Sequence, residues 1–531
     1  MKTNYLEKHS RAKKNPYTRP FAPFEPEVEN LTYDFIVIGG GSAGSIVASN
    51  LAKNFPEKSV LMVEAGPGIS VNDPVVWDPT QWVLVSDNLN LEWGYKSVPQ
   101  PGLNNRVIPM GRAKGLGGCS IHNAMVYVRG GYKGFNNWAS QGNTGWDYNS
   151  VLPYFQQVEQ SFLITIAQTD PFVNSLINAC NDQNIVYNAN YNQLTDTQCV
   201  SPFQFAISQS RRETAYSAFI VNNPDPMTNL TVIPTYLVEK INIDQTNTAR
   251  SVIISSIPSG WQYEISANEE IILSAGAIGS PQILMLSGVG PAEELSGFNI
   301  PVINNLQGVG QNFQDDLYVT AWFQSKQPMP VQPYGLMGAV IFANSPYYNP
   351  DLGTDIECSL AAGTMAGLNL KPDQQQSWFI YPNIQLLNSR GTVALASGNP
   401  SDAPIINPNY LSANGDLEKC VSAVQLALSV GQDSALADWY EATWLPDSTN
   451  NLEEYVRNNA GTCYHYAGTC KMGPSSDPMA VVAPDLTVYG INNLRVIDAS
   501  IIPTTVSGNT AAATMMIAQK GSSLISDAVK H

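Results

Sequence analysis

A chain of 531 residues with 44% hydrophobic content, 36 prolines and 40 glycines is long enough for more than one domain and reads as a globular protein rich in connecting loops. Its 27 basic and 44 acidic residues leave a net charge of −17, which repels nucleic acid and anionic membrane surfaces and excludes both as partners. No apolar run approaches a membrane span and the N-terminus lacks an apolar signal core, so a soluble, cytoplasmic or otherwise intracellular protein is expected.

Residues 1–30 begin basic (Lys8, Arg11, Lys13, Lys14, Arg19) and then turn Pro-rich and acidic, the composition of a solvated arm. The next stretch, Asp34 to Gly68, is the most informative in the chain. FIVIGG reads as a buried parallel strand ending in glycine. Gly39, Gly41 and Gly44 fall on G-x-G-x-x-G, and SAGSIVASNLAKN continues with helical periodicity until Pro56. SVLMVEAG is a second buried strand with Glu64 at its end, about twenty residues past the last glycine, where a ribose-binding acid is expected. Glycine permits the tight turn and the close approach of a pyrophosphate, while the helix N-terminus offers unpaired N–H groups to the phosphates. A dinucleotide site is expected here.

A loop-rich section follows, including EWGYKSVPQ at 92–100, and then a second glycine cluster from Gly111 to Gly131. Bulky apolar side chains are almost absent from Gly111 to Gly118, which marks a segment that something else must approach closely, a second candidate surface for the cofactor. Residues 132–203 read as helices and loops without recognisable chemistry. LTVIPTYLVEKI and SVIISSI, between Asn229 and Ile254, read as strands of a hairpin or meander. Residues 265–291 return to the dinucleotide style of buried strand, glycine turn and helix. Residues 311–454 carry more aromatic and amide side chains and read as a separate layer covering the cofactor. TCYHYAGTCKMGP at 462–474 and a dense segment at 493–525 close the chain.

Only four histidines are present: His9, His122, His465 and His531. Two lie in the terminal tails, and the other two sit inside glycine-rich segments beside the expected cofactor surfaces. Neither has a second ligand at H-x-x-x-H or similar spacing, so no metal site is expected. The seven cysteines contain no C-x-x-C pair and are odd in number, which suits reduced thiols.

Together these segments resemble the glucose–methanol–choline oxidoreductase family of flavoproteins, over nearly the whole chain from about Tyr33 to Ile525. RAKGLGGCSIHNAMVYVRG looks like that family's first signature and GAIGSPQILMLSGVG, at 276–290, like its second. GVGQNFQDD, SRGTVALASGNP, YHYAGTCKMG and DASIIPTTVSGNTAAATMMIA follow in the family's order. The resemblance implies an α/β fold, α+β overall. A Rossmann-like FAD-binding domain would be assembled from 31–158, 204–310 and 455–531, and a substrate-binding domain with an antiparallel sheet from 159–203 and 311–454. It implies FAD contacts from Gly39, Gly41, Ser42, Ala43, Gly44 and Glu64, and from Arg112, Gly117, Gly118, His122, Asn123, Ala124, Met125 and Val126. Val238, Asp498, Ala499, Asn509 and Thr510 complete that set.

By the same resemblance His465 and Asn509 are the catalytic pair. His465 would accept an alcohol's hydroxyl proton as general base, Asn509 would hold the substrate oxygen, and the flavin would take the hydride. GGCSIHN looks most like the choline oxidase version of its segment, so His122 is either the site of a covalent FAD link or a free histidine beside a dissociable flavin. Cys463 matches a position near the flavin face, with Tyr464 beside it. Choline oxidases place a glutamate and a second histidine where this chain has Tyr318 and Ser359. The implied pocket is therefore neutral or aromatic, although a ring can still hold a cation through its π face. The expected activity is oxidation of a small-molecule alcohol, with oxygen or another electron acceptor restoring the flavin. A lyase or light-driven decarboxylase on the same scaffold, and a non-catalytic flavoprotein, are the alternatives.

Overall fold

The computed structural model describes residues 31–530 apart from 70–72, 87, 89, 194–195, 332, 337 and 364–375, and the arm expected at 1–30 lies outside the described residues. The chain opens with β1 (Thr32–Ile38), α1 (Ser42–Asn54) and β2 (Val60–Glu64). Then come β3 (Leu230–Pro234), β4 (Gln262–Leu273) and α2 (Gly276–Leu286). A second group comprises β5 (Leu317–Tyr318), β6 (Ile356–Ala362), β7 (Ser377–Ile384) and β8 (Gly461–Thr462). The chain closes on β9 (Leu494–Val496) and α3 (Thr510–Lys530).

The first sheet is parallel at its centre. β3, β2, β1 and β4 lie side by side, and β9 joins the far side of β4. Phe35 to Ile38 are at most 2% exposed because helices or loops cover both faces, which is why the run is continuously apolar rather than alternating. Ile38 pairs with Val63 and Leu273, and Leu273 with Val496, so the carboxyl ends of four strands open into one crevice. That is where ligands bind in sheets of this kind. Asn50 donates to Gln519 at 2.9 Å and Asn54 to Ser526 at 2.9 Å, so α1 and α3 run parallel. The positive dipole ends of both helices therefore lie at the same end of the layer.

The run LTVIPTYLVEKI, Leu230 to Ile241, divides at Thr235, which adopts φ 66°. Leu230–Pro234 becomes the parallel edge beside β2, while Tyr236–Ile243 forms an antiparallel hairpin with Ala249–Ser256. β4 serves both systems, since its first half pairs antiparallel with that hairpin and its second half parallel with β1 and β9.

The second, largely antiparallel sheet contains β6 beside β7, with β5 bridging β7 and β8. Cys199–Pro202 joins its other side against Ala339–Ala343. That short strand is absent from the helix-and-loop reading of 132–203 because four residues carry no usable alternation. One apolar core surrounds β1, β2, β4, α1 and α3, and a second lies between the second sheet and the helices Pro171–Asp182 and Asp416–Gly431. All seven cysteines are free. Among the described residues no helix is long and apolar enough to cross a membrane.

Candidate active site

The glycine turn after β1 is shaped by two kinds of constraint. A Cβ on Gly39 would lie 2.6 Å from the carbonyl oxygen of Ser274, and one on Gly44 would lie 1.8 Å from that of Gly39. Backbone packing excludes side chains at both. A Cβ on Gly41 meets nothing nearer than the Gly118 Cα at 3.7 Å, so this position keeps open space. Gly41 begins α1 without a side-chain cap, and Ser42, Ala43 and Gly44 form its first turn, leaving N–H donors at the mouth of the crevice.

The second glycine segment packs directly on the first. The Gly117 N–H donates to the Gly40 carbonyl at 2.8 Å, and a Cβ on Gly118 would fall 2.6 Å from the Gly41 Cα. Glu64 closes the turn from beneath. Its Oε2 accepts the Gly40 N–H and its Oε1 the Gly66 N–H, both at 2.8 Å, and the Gly115 N–H also bonds the carboxyl, which leaves capacity for one ribose hydroxyl. Burial pushes the Glu64 carboxyl up to about 7. A dinucleotide fits these features: an uncapped helix N-terminus, a glycine with room in front of it, and an acid at the end of β2. Gly276, at φ 79° with nothing within 4 Å of a built Cβ, is a second open position on the same crevice.

Arg112 ties this segment to the last one. Its guanidinium donates to the Tyr464 carbonyl and lies 4.3 Å over the Tyr466 ring. His122 is enclosed, with Nδ1 3.6 Å from Glu92 Oε2. Burial lowers the imidazole to about 4, which keeps it neutral, and raises the Glu92 carboxyl. Asn123, Ala124, Met125 and Val126 continue the turn, with Met125 at φ 62°. Arg212 locks that turn. It donates to the Asn123 carbonyl at 2.6 Å, to Asn123 Oδ1 at 2.9 Å and to the Val76 carbonyl at 2.9 Å. Val238 is buried in the hairpin strand opposite Ile254. Asp498 caps the start of α2, its Oδ2 accepting from the Gly276 N–H at 2.8 Å and the Ser280 hydroxyl at 2.6 Å. Its neighbour Ala499 is also buried, and Thr510 opens α3.

His465 stands where the two sheets meet. Its Nδ1 is 2.8 Å from Asp316 Oδ2, and the Asn509 amide nitrogen is 3.1 Å from its Nε2. A carboxylate requires N–H at Nδ1 and an amide donor requires a lone pair at Nε2, so both partners select the same neutral tautomer. Tyr464, just before it, adopts φ 63° and holds the imidazole on a tight bend. Asp315 braces the bend. Its Oδ1 accepts the His465 N–H at 2.8 Å, and its Oδ2 accepts the Thr462 hydroxyl at 2.6 Å and the Tyr410 hydroxyl. Burial works against charge on the imidazole, but the Asp316 bond and the charges of Asp316, Asp315 and Glu357 outweigh it and raise the pKa.

The second sheet presents one face to this histidine. Tyr318 on β5 lies opposite Asn383 on β7, which lies opposite Glu357 on β6. In the next row Tyr381 lies opposite Ser359. Directly paired residues share a face. The Cys463 thiol donates to Asn383 Oδ1 at 3.2 Å, which joins that face to the histidine segment. The Tyr318 and Tyr381 rings stack with centroids 4.4 Å apart, and Tyr464 is 42% exposed beside them.

The structure thus brings His465, Asn509, Cys463, Tyr464, Tyr318 and Ser359 into one neighbourhood. It adds Asp315, Asp316, Glu357 and Arg212, which sequence reasoning missed. The two aspartates sit in GVGQNFQDD, and Glu357 is the one acid in the buried run Ile356–Ala362. A lone carboxylate inside an apolar strand was the readable signal. Arg212 offered none. Among the described residues no group of three His, Cys, Asp or Glu side chains is placed to hold a metal ion.

Comparison with known proteins covers the stretches in which most of these residues lie. Two family models described as GMC oxidoreductase match, the N-terminal one over 33–318 and the C-terminal one over 388–518. Mitochondrial choline dehydrogenase of Mus musculus is 32% identical over 93% of this chain and 89% of its own length. The alcohol dehydrogenase (acceptor) of Pseudomonas putida is 30% identical over 93% of this chain and 95% of its own. The crystal structure of pyridoxine 4-oxidase from Mesorbium loti superposes with a TM-score of 0.85 at 26% identity, covering 94% of this chain and 99% of that one.

Proposed function

The chain belongs to the GMC oxidoreductase family of FAD-dependent enzymes acting on CH–OH donors, and from that premise we propose that it oxidises an alcohol to an aldehyde or ketone with His465 as the base. The observation that carries this reading is the line Asp316–His465–Asn509. Asp316 holds the Nδ1 proton, so the lone pair is on Nε2, where the Asn509 amide meets it and a substrate hydroxyl would displace that contact. A substrate hydroxyl entering there donates its proton to Nε2 while its oxygen accepts from the Asn509 amide, which keeps the carbon aimed. FAD, when bound along the 39–44 turn with Glu64 on its ribose, supplies the hydride acceptor. Arg112 and the 117–126 segment would hold its other end. Oxygen or a separate acceptor restores it.

The substrate is a neutral or aromatic alcohol. Stacked Tyr318 and Tyr381 offer flat apolar surface rather than a carboxylate for a quaternary ammonium group. His122, enclosed and neutral, is the residue for a covalent FAD link.

Anaerobic mixing of the FAD-loaded protein with a panel of primary alcohols tests the reading. Bleaching of the flavin's blue band with at least one alcohol is expected, and the rate should fall by orders of magnitude in His465→Ala while flavin stays bound. Full-speed bleaching in His465→Ala removes the histidine as base. Turnover confined to blue light would assign the chain to the decarboxylase type.

A further inference from the structure

Behind His465 lies a set of buried polar atoms short of hydrogen. Glu357 is 0% exposed; its Oε2 accepts only the Gln385 amide at 2.8 Å, and its Oε1 has no partner. Asp316 Oδ1, Asn509 Oδ1 and Gln385 Oε1 are also buried without partners. All four orphans are acceptors. Buried polar groups are normally paired, and leaving one unpaired is costly. An ionised carboxylate only accepts, whereas a protonated one gains a donor. A proton on Glu357 removes its own unpaired charge and gives it a donor.

The charges point the same way. Asp315 and Asp316 flank the imidazole from the turn before β5, and Glu357 faces it from β6. From the helix-bearing side Arg390 lies within electrostatic reach of Asp316, but its Nη1 is bound to the Leu387 and Ser389 carbonyls. Lys419 is directed to Asp355 at 3.6 Å and to the Leu386 carbonyl at 3.0 Å. The Cys463 thiol is held neutral by burial and by the neighbouring acids. Carboxylates crowded round one imidazole repel one another, which favours a proton on the one whose sole donor is a side-chain amide, Glu357.

We propose that Glu357 is a positioning acid for His465: a buried carboxylic acid that carries a proton in the resting protein and whose ionisation sets the basicity of the imidazole through space. Burial pushes it up to about 7, which places this change within the neutral range. While Glu357 is protonated, His465 feels Asp316 and Asp315 alone and is the weaker base. When Glu357 ionises, His465 holds a proton more tightly. The catalytic consequence rests on His465 being the base, but the charge coupling does not.

The experiment uses the full-length FAD-loaded protein. With four histidines in the chain, ring-labelled histidine gives a tractable NMR titration. Infrared difference spectra between pH 5 and pH 9 report protonated carboxyls. Glu357→Gln mimics the neutral acid. It should remove one carboxylic-acid C=O component and move the His465 midpoint down by about half to one pH unit. Gln385→Leu, which removes the donor that favours ionised Glu357, should make the same component persist to higher pH. This second variant keeps the test open if Glu357→Gln fails to fold. Equal acid-band intensity in wild type and Glu357→Gln, an unmoved His465 midpoint, or an unmoved band in Gln385→Leu overturns the proposal. These readouts need no turnover, so failure of the His465 assignment shows up separately, in the His465→Ala bleaching rate.

Discussion

Asp316 Oδ2 stands 2.8 Å from Nδ1 of His465, across 149 residues of sequence. The bond does two things at once. It fixes the tautomer that keeps the lone pair on Nε2, where the Asn509 amide now sits and a hydroxyl can take its place, and it stabilises the imidazolium that proton abstraction creates. It also raises the histidine above its ordinary range, so the form able to accept a proton grows as pH rises through that value.

Replacing Asp316 with Asn tests both effects. An amide is nearly isosteric but can present N–H to Nδ1 and select the wrong tautomer. Flavin reduction should slow by about 10²–10⁴-fold, and the acid limb of its pH profile should move downward because the raising charge is gone. Stopped-flow reduction across pH with one active alcohol measures both. An unchanged rate with an unchanged limb would show that Asp316 only braces the bend.

The two glycine constraints separate folding from binding. A Cβ on Gly44 would lie 1.8 Å from a backbone oxygen, so Gly44→Ala should destabilise the protein by about 1–3 kcal/mol or prevent folding. A Cβ on Gly41 meets only the Gly118 Cα at 3.7 Å, so Gly41→Ala made in a His122→Ala background, where no covalent link can hold the flavin, should fold with a near-normal thermal midpoint yet lose FAD on gel filtration. Flavin retained by that double variant as well as by His122→Ala alone would place the dinucleotide elsewhere.

Acid precipitation tests the His122 link. If the bond forms, wild-type protein pellets yellow and His122→Ala pellets colourless with flavin in the supernatant. Burial keeps this imidazole neutral down to about pH 4, so its nucleophilic form is available throughout the neutral range. Flavin released from wild type by acid means the link is not made.

What the sequence revealed followed from local physics. The strand, turn, helix, strand and acid between Asp34 and Glu64 depend on contacts a few residues apart, and β1, α1 and β2 stand where they are expected. Glu357 and Asp316 carry no such local signature. Their meaning comes from β5, β6 and β7 pairing in one register, and no periodicity reports which face of that sheet meets an imidazole encoded over a hundred residues later. Thr235 hid a strand break for another reason: a β-branched residue at positive φ contradicts its own propensity, and its N–H is bonded to the distant Gly66 carbonyl at 3.0 Å.

The buried acids also set the pH dependence of stability, and the sign can be worked out. Burial raises Glu64 and Glu357 to about 7 and Asp315 to about 6, all above their unfolded values. Between about pH 4.5 and 7 the folded state therefore binds more protons than the unfolded chain, and stability falls as pH rises, by at most about 1.4 kcal/mol per pH unit for each group. His465, raised by its acids, adds a term of the same direction, present at low pH and lost as pH climbs through its folded value. The self-repulsion behind a net charge of −17 relaxes on acidification too. Opposing them, Asp34, Asp147, Asp244, Glu264 and Asp477 are lowered in the folded state, so their contribution disappears only as pH falls below the carboxylate range. The thermal midpoint should peak near pH 5 and decline toward pH 8, with a shallower decline in Glu357→Gln. Midpoints that climb steadily from pH 5 to pH 8 would mean that these carboxyls are ionised and paired in the folded protein, contrary to the unsatisfied oxygen of Glu357.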